Sequence, residues 1–300
     1  MKGIVIAGPT GVGKTDLSIK LAKLIDAEII SVDSAQVYRG MDIGTAKITQ
    51  EEMQEVPHHL IDIVEPIKKY SVGDFQRDTD EILNIKEKEN RNMILAGGTG
   101  LYINSVVDGL AELPTGDDSL RKQLMEISQE ELYEKLKEID PDAAQEIHPN
   151  NKRRVERALE VFYLTGEKFS VISKKNIKHN NYKFLKIGLD RDREELYERI
   201  NRRVDIMMEN GLLEEVKNLY GIYGESLRRI NIIGYSEIID YLKGEITLEE
   251  AINLIKRNSR HYAKRQFTWF KNDPEYIWYD LGKESEEAII EDILEKFSRL

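Results

Sequence analysis

The sequence contains no cysteine. That excludes disulfides, iron–sulfur clusters and thiolate zinc sites. Histidine is scarce, with 5 in 300 residues, and its one adjacent pair, His58-His59, is expected to be structural. Neighbours in an extended chain point in opposite directions, and no carboxylate is placed to complete a zinc site with them. There is no apolar run near the roughly 18 residues that a membrane span needs. The chain also enters its first strand without a signal-like apolar segment, so a cytoplasmic protein with no membrane partner is expected. Positive charge is in deficit, with 44 Lys and Arg against 55 Asp and Glu and a formal net charge of −11. Such a balance excludes a protein that coats nucleic acid non-specifically. A local basic face remains open, because the stretch 255–271 carries Lys256, Arg257, Arg260, Lys264, Arg265 and Lys271 with no acid.

What is present reads as soluble and globular, with 40% hydrophobic and 33% charged residues over a length that allows one large domain or two ordinary ones. Short apolar, β-branched runs at 3–7, 28–32, 59–63, 93–96 and 184–189 alternate with helical stretches. This is the pattern of an α/β fold with a parallel sheet flanked by helices. The alternation breaks at Leu113-Pro114-Thr115-Gly116-Asp117-Asp118, and from there the pattern is helical only, closing in a polar exit at 174–181. The expected organisation is an α/β core over 1–114, an all-helical insertion over 115–180, and the core continued with C-terminal helices over 181–300.

Chemistry concentrates at the C-terminal ends of the strands, where open α/β sheets bind ligands. After the first strand comes Gly8-Pro9-Thr10-Gly11-Val12-Gly13-Lys14-Thr15, and then a helix. This is a complete phosphate-binding loop in its required setting. Backbone N–H groups and a helix N-terminus face an anion, Lys14 reaches the terminal phosphates, and Thr15 holds a magnesium ion. A second strand ends in Asp33, for which three readings stand: magnesium binding through water, general base, or a cap for the following turn. The strand 93–96 runs into Gly97-Gly98-Thr99 and lacks the acidic residue that ends the corresponding strand of ordinary P-loop NTPases, which argues against ATP hydrolysis. Arg199 and Arg203 share one face of a helix over 193–209. They form either a fork for a diphosphate or a solvated pair bridged to Glu195 and Glu198. The stretch 260–271 interleaves cations with rings, which suits RNA; in the competing reading Phe267, Trp269 and Phe270 are core.

Taken together, Gly8 to Thr15, the run from Ser31 to Lys47 (SVDSAQVYRGMDIGTAK), Pro57-His58-His59-Leu60, Gly97-Gly98-Thr99-Gly100-Leu101-Tyr102 and Ala263-Lys264-Arg265-Gln266 strongly resemble the tRNA dimethylallyltransferases over nearly the whole chain. The resemblance implies a P-loop NTPase-like fold and transfer of a dimethylallyl group from dimethylallyl diphosphate to the N6 amine of adenosine 37, in the anticodon loop of tRNAs that read codons beginning with U. It implies that Gly8 to Thr15 cradle the diphosphate with Mg²⁺ on Thr15, and that the catalytic residues are Asp33 as general base, Thr99, Lys14 and Arg203. It further implies tRNA contacts at Asp33, Ser34, Ala35, Gln36, Thr99, Arg121, Arg153, Arg154, Val155, Glu156 and Arg157. The partners are then tRNA and dimethylallyl diphosphate, with a monomer expected. Without cysteine the chain lacks the zinc finger of some eukaryotic members and resembles the bacterial form. The alternatives are a small-molecule kinase of the P-loop class, a prenyltransferase acting on free adenine nucleotides, or an RNA-binding P-loop protein without chemistry of its own.

Overall fold

The computed structural model describes residues 2–175 and 182–300, so most of the polar exit expected at 174–181 lies outside the described residues. In chain order the elements begin with β1 (Lys2–Ala7), α1 (Lys14–Ile25), β2 (Ala27–Val32), β3 (His58–His59), α2 (Val72–Lys88), β4 (Asn92–Gly97) and α3 (Gly100–Val107). Five helices follow without a strand: α4 (Asp118–Met125), α5 (Gln129–Ile139), α6 (Pro141–Glu146), α7 (Lys152–Thr165) and α8 (Phe169–Ile172). The rest comprises β5 (Lys183–Asp190), α9 (Arg193–Glu209), α10 (Leu212–Tyr223), α11 (Glu225–Arg228), α12 (Tyr235–Leu242), α13 (Leu248–Lys271), β6 (Ile277–Asp280) and α14 (Glu286–Ser298).

The six strands form one parallel sheet in the order β3-β2-β4-β1-β5-β6. Because successive side chains alternate, Ile4, Ile6, Ile29 and Ile94 face one apolar layer with Leu17 and Leu21 of α1 and Ile293 of α14. Val5, Ala7, Ile30, Val32 and Leu95 face the opposite layer with Phe75 and Leu83 of α2 and Ile103 of α3. Burial on both faces is what gives these strands unbroken apolar runs. A third apolar cluster packs α9, α10, α12 and α13 together around Val204, Leu212, Val216, Tyr235, Ile238 and Ile255.

The chain divides into two compact units, Met1–Val107 with Asn181–Leu300, and Asp108–Asn180. The second has its own core, built from Leu124, Leu132, Leu136, Val155 and Leu159, spaced as an amphipathic helix pattern requires. Two strand expectations need correction. The run 59–63 keeps ladder pairing only at His58–His59, since the backbone turns through positive φ at Leu60 and Asp62 and leaves Ile63 at the surface. The edge strand Ile277–Asp280, too short to carry a pattern, is found in addition. No helix among the described residues is long and apolar enough to cross a membrane.

Gly97 marks the closest approach inside the sheet. It pairs with Val32, and a Cβ there would lie 2.0 Å from the Val32 carbonyl oxygen. Gly221, inside α10, meets nothing within 4 Å. Alanine at the two sites should therefore act with opposite sign. Gly97→Ala is expected to lower stability by about 3 kcal/mol, and Gly221→Ala to raise it by about 0.5–1 kcal/mol. Thermal or urea unfolding of the two variants checks both signs.

Candidate active site

The loop between β1 and α1 needs two left-handed residues, and the sequence supplies Gly11 (φ 80°) and Gly13 (φ 118°). Gly13 is also the N-cap of α1 and makes no side-chain cap, so the first N–H groups of that helix are left for an anion. Lys14 folds back over the loop and donates to the carbonyls of Gly8 (3.0 Å) and Pro9 (2.9 Å). Burial, reinforced by the positive charge of Arg203, pushes the Lys14 ammonium down to about 8, against an opposing pull from Asp33. Val12 is buried in the sheet core, so its part in the loop is to hold the turn down. Thr15 is exposed in the first turn of α1.

The two arginines flank the apolar stripe of α9, Leu196, Ile200 and Val204. Arg199 donates through Nε to the Gly11 carbonyl (2.9 Å), and Arg203 reaches the Thr10 hydroxyl (3.5 Å). The solvated-pair reading is thereby corrected, because Glu195 is engaged by Arg191 and both arginines turn onto the phosphate loop. Burial pushes the Arg203 guanidinium down, with Asp33 pulling the other way.

Asp33 follows β2 and sits at the start of a tight turn, accepting the Ala35 N–H at Oδ1 (2.8 Å). That bond satisfies the turn-cap reading with one oxygen only. Among the described residues Oδ2 has no hydrogen-bond partner, and the carboxylate lines a cavity of about 420 Å³ together with Thr10, Ser34, Ala35 and Arg203. Thr99, just past the end of β4, accepts the Ser34 N–H (3.1 Å) and so fixes the Asp33 turn. Gln36 spends its amide on the fold, accepting from Ser31 (3.0 Å) and donating to the carbonyls of Thr45 (3.4 Å) and Ala46 (3.3 Å).

Sequence reasoning missed three groups here. Gln266, buried in α13, accepts the Thr10 N–H (2.9 Å) and donates to the Gly98 carbonyl (3.0 Å), joining phosphate loop and β4. Tyr262, one turn earlier on α13, lines the same cavity, and burial beside Asp33 pushes its phenol up to about 12. Glu215 of α10 accepts from the backbone N–H groups of Asp42, Ile43 and Gly44 and from the Tyr235 hydroxyl, which holds the Gly44–Thr45 wall of the cavity. The only signal for Gln266 was its place in the Ala263-Lys264-Arg265-Gln266 motif; Glu215 left none. The rest of the lining is mixed: Ile200, Val204, Met207, Ile232, Ile233 and Ile255 supply apolar surface, and Asn231, Ser236, Asn258 and Ser259 supply polar groups. The histidines keep the structural role expected of them, since His59 bonds the buried Glu28 (2.6 Å) at the sheet edge.

In the unit Asp108–Asn180, Arg121 (2.7 Å) and Arg157 (2.5 Å) both pair with the buried Glu160, and Arg157 also donates to the Pro114 carbonyl. Burial acts to raise the Glu160 carboxyl, but the two arginines hold it below the usual range. Arg153 and Arg154 are exposed at the start of α7, and Glu156 is half-buried. Val155 is 1% exposed inside this unit's core, so an RNA contact through its side chain is corrected to a packing role.

Comparison with known proteins agrees with this geometry. The family model described as IPP transferase matches residues 36–273. A tRNA dimethylallyltransferase of Fusobacterium nucleatum is 60% identical over 297 residues, covering 99% of this chain and 97% of that protein. The crystal structure of the full-length tRNA isopentenylpyrophosphate transferase from Bacillus halodurans superposes with a TM-score of 0.74 at 46% identity, covering 99% of this chain and 98% of that one. A eukaryotic dimethylallyltransferase, solved acting on tRNA, matches with a TM-score of 0.83 at 29% identity over 98% of this chain and 80% of that one. A phosphate loop facing a carboxylate that carries no Walker-type partner, on a chain matched end to end by such relatives, places it in one family: the chain belongs to the IPP transferases, the tRNA dimethylallyltransferases.

Proposed function

We propose that this chain transfers the dimethylallyl group of dimethylallyl diphosphate to the N6 amine of adenosine 37, in the anticodon loop of tRNAs reading codons that begin with U. The observation that carries the reading is the convergence of Asp33, Arg203 and the phosphate loop on one cavity. In the reaction the allylic C–O bond breaks, the diphosphate leaves, and an N6–C bond forms with loss of one N6 proton. Lys14, Arg203 and the open N–H groups of α1 take up charge that builds on the leaving diphosphate. Asp33 receives the proton, because an exocyclic adenine amine is a poor nucleophile until deprotonation accompanies its attack. Thr99 and Tyr262 hold the Asp33 turn and its surroundings. The adenine must leave its stack to enter such a cavity, at a cost that contacts elsewhere on the tRNA offset. Exposed Arg153 and Arg154 are placed for phosphates, while Arg121 and Arg157 shape that surface from within.

Magnesium fits this donor set in one manner. Among the described residues no three His, Asp or Glu gather around a common point. Mg²⁺ characteristically binds through substrate phosphates, water and one or two protein oxygens, and the exposed Thr15 hydroxyl is such an oxygen. When bound, the ion supplies further neutralisation of the diphosphate charge. We take the reaction to be cytoplasmic, a reading that a tRNA substrate supports, and a site assembled from one chain supports a monomer as the working unit.

The deciding experiment incubates the protein with tRNA and dimethylallyl diphosphate and reads the RNA by mass spectrometry. One C5 prenyl unit on the anticodon-loop adenosine is the expected product; no gain in mass refutes the reading. Asp33→Asn keeps the oxygen that caps the turn and loses the base. It is expected to lower kcat about 100- to 10,000-fold while diphosphate binding persists, and full activity removes Asp33 from the base role.

Lys14 gives a test through pH. In the ligand-free protein it titrates at about 8, and a bound diphosphate favours the charged form, so binding takes up a proton and affinity falls as pH rises through 8. Calorimetric titration in two buffers of different ionisation enthalpy measures that uptake directly. Between about 8 and the ordinary 10.5 the unfolded chain holds the extra proton, so this group stabilises the fold as pH rises through that window. Lys14→Met should therefore raise the melting temperature of the ligand-free protein at neutral pH while diphosphate binding is lost.

A further inference from the structure

Trp269 is 47% exposed, although α13 has a buried face to which an indole would ordinarily turn. It is nonetheless fixed. Its Nε1 donates to the Asn104 side chain (3.2 Å), and its pyrrole side rests on Gly100 so closely that a Cβ there would come within 2.3 Å of two ring atoms. Glycine at the start of α3 gives up helix propensity at a site where alanine is the better residue. The space it leaves is filled by this ring. Leu101, next in the chain, is 46% exposed beside it.

The position of this ring ties it to the reacting site. Tyr262, Gln266 and Trp269 stand at helical spacing on one stripe of α13. Gln266 bonds Gly98 and Trp269 bonds Asn104 of α3, so the stripe runs along the end of β4 and into α3. Trp269 lies about 10 Å along the helix axis from Tyr262. Lys256 and Lys271 pair with Asp205 and Asp190, while the exposed Lys264 and Arg265, about one turn before Trp269, favour a polyanion. An aromatic ring held rigid, half exposed and bordered by cations is how single-stranded nucleic acid is gripped without sequence readout.

We infer that Trp269, pinned by Gly100 and Asn104 and extended by Leu101, is a stacking platform for a nucleobase of the RNA strand next to the adenosine that enters the cavity. The inference rests on the proposed RNA substrate and adds a contact beyond the reacting base. Because the ring is already immobile, stacking on it costs little further side-chain entropy.

The chain has two tryptophans, so Trp278→Phe leaves Trp269 as its one indole reporter. Titrating that variant with an anticodon stem-loop RNA should quench and shift the remaining emission, and an unchanged spectrum at saturating RNA overturns the platform. In single-turnover and steady-state transfer, Trp269→Leu is expected to raise KM for tRNA about tenfold with a much smaller change in kcat, and Trp269→Phe to recover most of the loss. Equal KM for Trp269→Leu and the parent also overturns it. Should the parent bind and quench with RNA yet transfer no prenyl group, the proposed reaction fails and the platform stands; transfer with no quench has the reverse meaning. A melting curve for each variant separates loss of stacking from loss of fold.

Discussion

One buried amide fixes the working edge of the sheet. The Gln266 side chain joins Thr10 of the phosphate loop, 256 residues away, to Gly98 beyond β4, 168 residues away. Both of its bonds go to backbone groups, and a buried backbone group left without a partner costs about 1–3 kcal/mol. Gly98 is required by the same arrangement, because a Cβ there would stand 2.1 Å from the Gln266 nitrogen. The loop is thus set against the end of β4 by a helix that begins at Leu248, 140 residues after the helical unit starts at Asp108. From that contact follow the position of Thr99 over the Asp33 turn and the direction in which the cavity opens.

The same edge holds positive charge out of water without a matched partner. Lys14 hydrogen-bonds two carbonyls and Arg203 a hydroxyl, while the carboxylate near both is occupied in part by its own turn. Desolvated cations facing one another weaken the ligand-free fold. The diphosphate proposed above would relieve that strain by pairing with them, so that part of its attraction is stored as local instability. Active sites commonly sit at this trade-off. The net charge of −11 leaves it untouched, since the acidic surplus lies elsewhere in the chain, as in the Glu286–Glu295 region of α14.

How far the sequence could be read depended on whether a feature is contiguous. The phosphate loop, the strand ending in Asp33 and the Gly97-Gly98-Thr99 corner are each one unbroken run, and strand, turn and helix signals coincide there. The helical unit was legible for the same reason, its apolar residues recurring at helical spacing in Leu132, Leu136, Val155 and Leu159. Features made by distant contacts were not legible. Nothing local marks Glu215 as the acceptor for three N–H groups more than 170 residues earlier, and nothing marks Ile232 and Ile233 as cavity wall. Within the run Arg153–Arg157, helical geometry turns the Val155 side chain inward while Arg153 and Arg154 stay exposed. The strand at 59–63 failed because apolar content does not report the positive φ at Leu60 and Asp62 that ends it.

The cavity wall opposite the phosphate loop bears on the kind of chemistry the site favours. Heterolysis at an allylic carbon places negative charge on the diphosphate and positive character on the carbon, so the two ends need different surroundings. Thr10 and Arg203 give the cavity polar and cationic lining, and Ile200, Val204, Ile232 and Ile255 give it aliphatic lining. An apolar wall binds a five-carbon group by burial and keeps water from capturing the electron-poor carbon before the amine does. A kinase would need no such wall, because a phosphoryl group presents oxygens on every side. The meeting of Arg203, Asp33 and aliphatic side chains in one cavity therefore argues for alkyl transfer over phosphoryl transfer on physical grounds that do not depend on family resemblance.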